Sequence, residues 1–233
     1  MDLLKLEKIR IIIMIEVRDL SKNFGKLSIF EGVNYTFNIS NVYGVIGDNG
    51  AGKSTFFRCL TGIEQYEGDI FISENCKIGV LADTPFFYTF MTGFEYIEFC
   101  LRARNIKISK DAIENLNKKF ALPLDKYASK YSLGMKKRLM LMAIMLQNND
   151  VIIMDEPFNG LDLIGTIILK QWIKDMRERK KCIILSSHII SSLTDICDEI
   201  IYIHNGKFTT DFSGMSSDEI EHKILDGYLS TDR

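Results

Sequence analysis

Apolar residues in this chain follow two rhythms, one of period two and one of about 3.6, and the chain switches between them several times. Met14-Ile15-Glu16-Val17-Arg18-Asp19-Leu20 alternates, as a strand with one buried face does. Ser21 to Lys26 reads as a turn. Phe30 to Ile39 alternates again, with Val33, Tyr35, Phe37 and Ile39 on one face. The link between the two runs is too short for a parallel crossover, so they are expected to pair antiparallel. Asn41 to Ile46 reads as a buried strand, and Thr55 to Leu60 as the opening turns of a helix. Tyr66-Glu67-Gly68 reads as a turn and Asp69 to Ser73 as a short strand. Lys77 to Leu81 is apolar enough to be expected at the centre of a sheet.

Asp83-Thr84-Pro85 breaks the pattern, and from Thr92 to Asn148 the rhythm is helical. Phe94, Ile97 and Leu101 recur on one face with Glu95, Glu98 and Arg102 between them. Lys110 to Phe120 reads as a second, more polar helix. Ser132 is placed to cap a third that runs through Met135, Leu139, Met142 and Leu146. Strand pattern returns at Val151 to Met154, which runs into Asp155-Glu156, and at Cys182 to Leu185, which runs into Ser186-Ser187-His188. Between them Ile164 to Lys180 reads as a helix with Arg177, Arg179 and Lys180 at its end, where the helix dipole favours cations. Ile200 to Ile203, Asn205-Gly206 and Lys207-Phe208 spell a hairpin, and Met215 to Leu229 a polar helical tail. Alternating strands and helices predict an α/β fold with a mostly parallel sheet and an N-terminal antiparallel β part. The long helical block between two strands predicts an inserted α-helical lobe over 84–148, set into a core lobe of 14–83 and 149–213.

The 233 residues suffice for one large domain or two lobes with a sizeable core. A formal net charge of -2 gives no global basic field, so no nucleic-acid partner is expected. Cys59, Cys76, Cys100, Cys182 and Cys197 form no C-x-x-C pair, which points to a reducing cytoplasm rather than to disulfides or zinc. No apolar run approaches the roughly 20 residues that span a bilayer. Ile9 to Val17 is interrupted by Arg10 and Glu16 and lacks a small-residue cleavage site after it, unlike a signal peptide. Residues Met1 to Ile13 mix Lys5, Glu7, Lys8 and Arg10 with leucines and isoleucines. They are expected to be dispensable, with Met14 opening the first strand.

Gly47-Asp48-Asn49-Gly50-Ala51-Gly52-Lys53-Ser54-Thr55 fits G-x-x-x-x-G-K-[ST], set between a strand and a helix as a P-loop requires. Its glycines let several backbone N–H groups converge on one anion, and the helix N-terminus adds positive potential. Lys53 is placed to reach the β- and γ-phosphates and Ser54 to ligate Mg²⁺. Asp155 and Glu156 sit at the C-terminal end of a strand, the end where open α/β sheets bind ligands. Strand alternation is expected to aim them apart, one toward a metal ion and one toward an attacking water.

Tyr131-Ser132-Leu133-Gly134-Met135, taken with the P-loop and Val151 to Pro157, resembles the ATP-binding cassette (ABC) ATPases, and the Y-S-x-G-M form resembles exporter-type members. Asn159-Gly160-Leu161-Asp162 is similar to the family's D-loop and Ser186-Ser187-His188 to its switch-histidine loop. The resemblance implies a P-loop NTPase core with ATP and Mg²⁺ as cofactors. It implies Glu156 as the base or water-positioning group, His188 at the γ-phosphate, Asp155 at the metal and Phe24 against adenine. Ser132, Gly134 and Asp162 would meet the nucleotide of a second subunit, in a homodimer or with a related ATPase chain. Asp83 stands where many members carry Gln or Glu; being shorter, it is expected to act on Mg²⁺ through a water, so that Asp83→Gln keeps activity within about tenfold. The implied activity is ATP hydrolysis that powers a separate transmembrane permease, with a cytoplasmic subunit held peripherally at the inner face of the membrane by that permease. The Pro85-Phe86-Phe87-Tyr88-Thr89-Phe90-Met91 run is expected to line the groove that receives that permease. An alternative is a non-transport member of the family, in DNA repair or translation, although sustained heptads and a second P-loop are both missing. A GTPase is disfavoured because Asn117-Lys118-Lys119 lacks the Asp of a base-reading N-K-x-D.

Overall fold

The two apolar rhythms build two sheets and a set of helices in the computed structural model, which describes residues 13–210, 212 and 214–231. The expectation for the N-terminal segment falls on residues outside this set, Ile13 apart. Strands β1 (Ile13–Phe24), β2 (Leu27–Asn38) and β4 (Glu67–Ile72) form an antiparallel sheet in the order β2-β1-β4. Strands β3 (Val42–Ile46), β5 (Ile78–Leu81), β6 (Val151–Met154), β7 (Cys182–Ser186), β8 (Glu199–His204) and β9 (Lys207–Thr209) form the second sheet, in the order β5-β6-β7-β3-β8-β9. Every pairing in that sheet is parallel except the β8–β9 hairpin.

Alternation along the parallel strands feeds two cores. Val42 and Ile46 of β3, Ile152 and Met154 of β6, and Ile183 and Leu185 of β7 face a core shared with the helices. Those helices are α2 (Gly93–Arg102), α3 (Lys110–Phe120), α4 (Leu133–Met145), α5 (Leu163–Glu178), the short α6 (Ile190–Thr194) and α7 (Ser217–Thr231). Tyr43, Val45, Val151, Ile153 and Ile184 face the other core, which holds α1 (Lys53–Leu60) against the antiparallel sheet. Aromatic rings knit this second layer: Phe37 meets Tyr43 edge-on at 4.9 Å and Phe56 meets Phe208 at 4.8 Å. Burial of residues at both parities explains why these strands read as unbroken apolar runs.

Three local expectations need correction. Ser21 to Lys26 is not a turn: β1 continues to Phe24, and only Gly25 and Lys26 turn. Lys22 points inward there, with its ammonium 2.8 Å from the Gln65 carbonyl and 3.1 Å from Glu64, so a buried charge with partners imitated a loop. Tyr66-Glu67-Gly68 is likewise mostly strand, since Gly68 takes a positive φ of 93° inside β4, against the β1 bulge around Asp19. The third is β5, which lies at the sheet edge rather than at its centre. Val80 stays exposed, and Arg104 donates to the Ile78 carbonyl, covering an edge group that has no strand partner.

The helical block holds α2, α3 and α4 as expected. Thr92 caps α2 in a reciprocal capping box with Glu95, and Ser109 and Ser132 cap α3 and α4. Arrangement of the parallel strands matters most for the site. The C-terminal ends of β3, β5, β6 and β7 open onto the same edge, and each runs straight into a residue singled out by the sequence.

Candidate nucleotide-binding site

Asn49, Gly50, Gly52, Lys53, Ser54, Thr55, Asp83, Asp155, Glu156, Asn159 and His188 line one cavity of about 430 Å³ at that edge. The loop after β3 forms its floor. Gly52 has φ 105°, and a Cβ there would come within 2.7 Å of Phe30, so β2 packs directly on the loop's backbone and only glycine fits. Gly52 is also the N-cap of α1 and offers no side-chain acceptor to the first-turn N–H groups. Those donors are left for a ligand, whereas α2 to α5 are capped by Thr92, Ser109, Ser132 and Asp162. Lys53 is almost wholly buried and donates to the carbonyls of Gly47 at 2.6 Å and Asp48 at 3.2 Å. Gly47, Asp48 and Ala51 thus shape and brace the loop without lining the cavity.

Asp155 and Glu156 both line the cavity, and strand alternation does not govern them. The strand ends at Met154, and Glu156 adopts a left-handed φ of 46°. That conformation costs about 1–2 kcal/mol in a residue with a Cβ. Ser186, fully buried at the end of β7, holds both: its hydroxyl donates to Asp155 Oδ1 at 2.7 Å and accepts from the Glu156 N–H at 2.9 Å. His188 Nδ1 lies 2.9 Å from Glu156 Oε2, so the imidazole and the carboxylate form a bonded pair inside the cavity. Removing the Ser186 hydroxyl should leave a buried N–H unsatisfied at a cost of about 1–3 kcal/mol. Ser186→Ala is therefore expected to lower Tm by roughly 3–8 °C. Turnover, measured by phosphate release, should fall about tenfold as the Asp155 carboxylate and the Glu156 backbone lose their common anchor.

Asp83 reaches the cavity, yet its carboxylate is engaged: Oδ1 lies 3.1 Å from the ammonium of Lys137 on α4, a side chain only 2% exposed. The expectation that Asp83 is free to act through water, with a mild Asp83→Gln, leaves out this ion pair. Its partner sits 54 residues away, and no local pattern marks it. Ser186 and Asn159 lie in stretches that the sequence marks, but neither is singled out there as a site residue; a polar residue closing an apolar strand is the signal for Ser186.

Besides Gly47, Asp48 and Ala51, four further candidates lie outside the cavity. Ser132 caps α4 through the Met135 N–H at 3.3 Å and is exposed. Gly134 lies against the Gly160 carbonyl, 2.9 Å from where a Cβ would stand. Asp162 caps α5 through the Gly165 N–H at 2.9 Å and lies 3.9 Å from Arg138. Phe24 is exposed at the end of β1, with the Lys22 ammonium 4.4 Å from its ring centroid.

The family model for ABC transporters matches residues 30–159, more than half of the chain. The chain belongs to the ABC transporter family. This ABC subunit is 32% identical over 218 residues to the lantibiotic transport ATP-binding protein SrtF of Streptococcus pyogenes, covering 89% of the chain and 94% of that protein. It is 31% identical over 207 residues to the bacitracin transport ATP-binding protein BcrA of Enterococcus faecalis, covering 83% of the chain and 67% of that protein. A solved structure of the ATP-binding subunit of an ABC transporter superposes with a TM-score of 0.81 at 26% identity, over 91% of the chain and 99% of that structure. The chain is accordingly an ATP-binding ATPase subunit, of the kind that works with a membrane permease. Among the described residues no helix is long and apolar enough to cross a membrane.

Proposed function

We propose that two copies of this ATPase, or one copy with a related chain, close around two ATP molecules and drive export through a separate permease. The observation that carries this reading is the single cavity that gathers Lys53, Ser54, Asp155, Glu156 and His188 from the ends of three parallel strands. The transport names of the bacitracin and lantibiotic relatives favour export over a role in repair or translation. In this reading 14–83 and 149–213 form the nucleotide-binding lobe, 84–148 the helical lobe, and the subunit sits peripherally on the cytoplasmic face of the membrane.

The residues present fit Mg-nucleotide. Among the described residues no three His, Cys, Asp or Glu side chains gather into a metal cage. That suits Mg²⁺, which takes one or two protein ligands and completes its shell with water and phosphate. Ser54 and Asp155 would hold the ion, whose charge would offset that of the phosphates, and Asp83, which lines the same cavity, would contribute through water. Lys53 would exchange its loop carbonyls for the β- and γ-phosphates. Glu156 would orient and deprotonate the attacking water, and His188 would hold Glu156 in place and contact the γ-phosphate. Ser132, Gly134 and Asp162 would complete the site of the opposite subunit, and Phe24 would stack on adenine.

Phosphate release from the purified subunit with ATP and Mg²⁺ tests the reading. Hydrolysis that stops with EDTA is expected, and absence of hydrolysis at any protein concentration would remove it.

The permease is expected to dock on the helical lobe. Tyr88, Phe90, Met91 and Phe99 line an apolar cavity of about 820 Å³, and Phe90 is 79% exposed. Phe87, expected in the same groove, instead packs on Tyr96 at 4.6 Å and lies partly buried against the core. Tyr88→Ser combined with Phe99→Ser should cut co-purification with the co-expressed permease at least tenfold while the subunit keeps a cooperative melting transition, since a few aromatic anchors carry most of an interface's energy. Undiminished co-purification would place the dock elsewhere.

A further inference from the structure

Lys137 is a lysine almost without solvent, and the acceptor for its ammonium is a carboxylate at the wall of the nucleotide cavity. The two ends of this pair differ sharply. Lys137 is 2% exposed, while the Asp83 side chain is 46% exposed. A buried ammonium depends on its partner, whereas an exposed carboxylate can be solvated without one. The pair also joins two separate parts of the site: Asp83 follows β5 at the sheet edge, and Lys137 lies on α4, the helix that Ser132 caps. The next residue, Arg138, reaches Asp162 at 3.9 Å, so consecutive basic residues of α4 face acids on two different site loops.

We propose that Lys137 is the positioning residue for Asp83: its buried ammonium holds the carboxylate at the cavity wall and fixes the loop after β5 to α4. One oxygen of Asp83 is thereby committed to Lys137, and the second is left to face the nucleotide's water and metal. Lys137 itself touches neither nucleotide nor metal, so its effect on hydrolysis passes through Asp83. This rests on the cavity being the nucleotide site.

The asymmetry of burial makes stability and turnover respond differently. Lys137→Met keeps the length of the side chain and removes the charge from the core, so the protein should melt within about 3 °C of wild type. Its kcat should nevertheless fall at least tenfold, with nucleotide affinity, read by fluorescent-nucleotide titration without Mg²⁺, held within about threefold. Asp83→Ala strands the buried ammonium and should lower Tm by about 5–10 °C. Adding Lys137→Met to Asp83→Ala should restore most of that Tm while changing kcat less than about twofold further, because the group through which Lys137 acts is already gone. Asp83→Asn, which keeps an acceptor, replaces Asp83→Ala in the cycle where the alanine protein does not fold.

A Lys137→Met protein with wild-type kcat overturns the proposal. So does one that melts far below wild type, since the lysine would then serve the core, and so does an equal loss of kcat from Lys137→Met in both backgrounds. A wild-type subunit that hydrolyses no ATP would instead remove the functional reading on which the proposal stands.

Discussion

Glu156→Gln is expected to bind ATP as the wild type does and to lose 10²–10⁴-fold in turnover, about the contribution of a positioned general base. The geometry makes the side chain, and not the fold, the source of that loss. Its backbone is held in a left-handed turn by the Ser186 hydroxyl at 2.9 Å, a contact the substitution leaves alone. Glutamine keeps the oxygen that faces His188 at 2.9 Å but cannot take a proton from water. Tm should therefore stay within a few degrees of wild type. Single-turnover phosphate release is the measurement to use, because it separates the chemical step from nucleotide exchange. Retained wild-type hydrolysis would assign the base elsewhere, and lost nucleotide binding would mean that Glu156 supports the loop instead.

Lys53→Ala is expected to fail one step earlier. The ammonium of Lys53 is held at the cavity floor between the Gly47 and Asp48 carbonyls at 2.6 and 3.2 Å, which in the proposed reading the phosphates would replace. A charge-assisted hydrogen bond to an anion is worth about 1.5–3 kcal/mol net, and more where water is excluded. Affinity for ATP should fall by roughly 10–10²-fold, and the loss should shrink for AMP, which lacks the phosphates this lysine is proposed to reach. Isothermal titration with both nucleotides reads the difference. Equal weakening for ATP and AMP would point to a collapsed loop, whereas undiminished ATP affinity would take Lys53 out of the phosphate site.

Much of this site is local in sequence, and that part was legible. The P-loop, the carboxylates after β6 and the histidine after β7 each follow an apolar strand, so strand pattern alone places them at one edge of a parallel sheet. The signature stretch was legible in the same way, because Ser132 is a helix cap whatever else it does. What could not be read depends on partners distant in the chain. Strand alternation does not reach Asp155 and Glu156, whose local conformation depends on a left-handed φ at Glu156 and on Ser186, 30 residues later. Lys136, Lys137 and Arg138 look alike as a basic run, yet Lys137 is buried on Asp83 and Arg138 donates to the Phe120 carbonyl. Lys22 misled in the opposite sense: a charge in an alternating strand looked like a turn because its partners, Glu64 and Gln65, lie beyond α1. The edge position of β5 has the same origin, as four apolar residues do not reveal how many neighbours a strand will have.

In the proposed dimer, ATP is shared between the Lys53 cavity of one subunit and the Ser132 cap of another. Light scattering of Glu156→Gln at high protein concentration tests it most directly, with and without saturating ATP. The expected mass is near 26.7 kDa without nucleotide and about twice that with ATP, returning to the lower value when Ser132→Arg is added. A Glu156→Gln protein that binds ATP and remains at the monomer mass would contradict it.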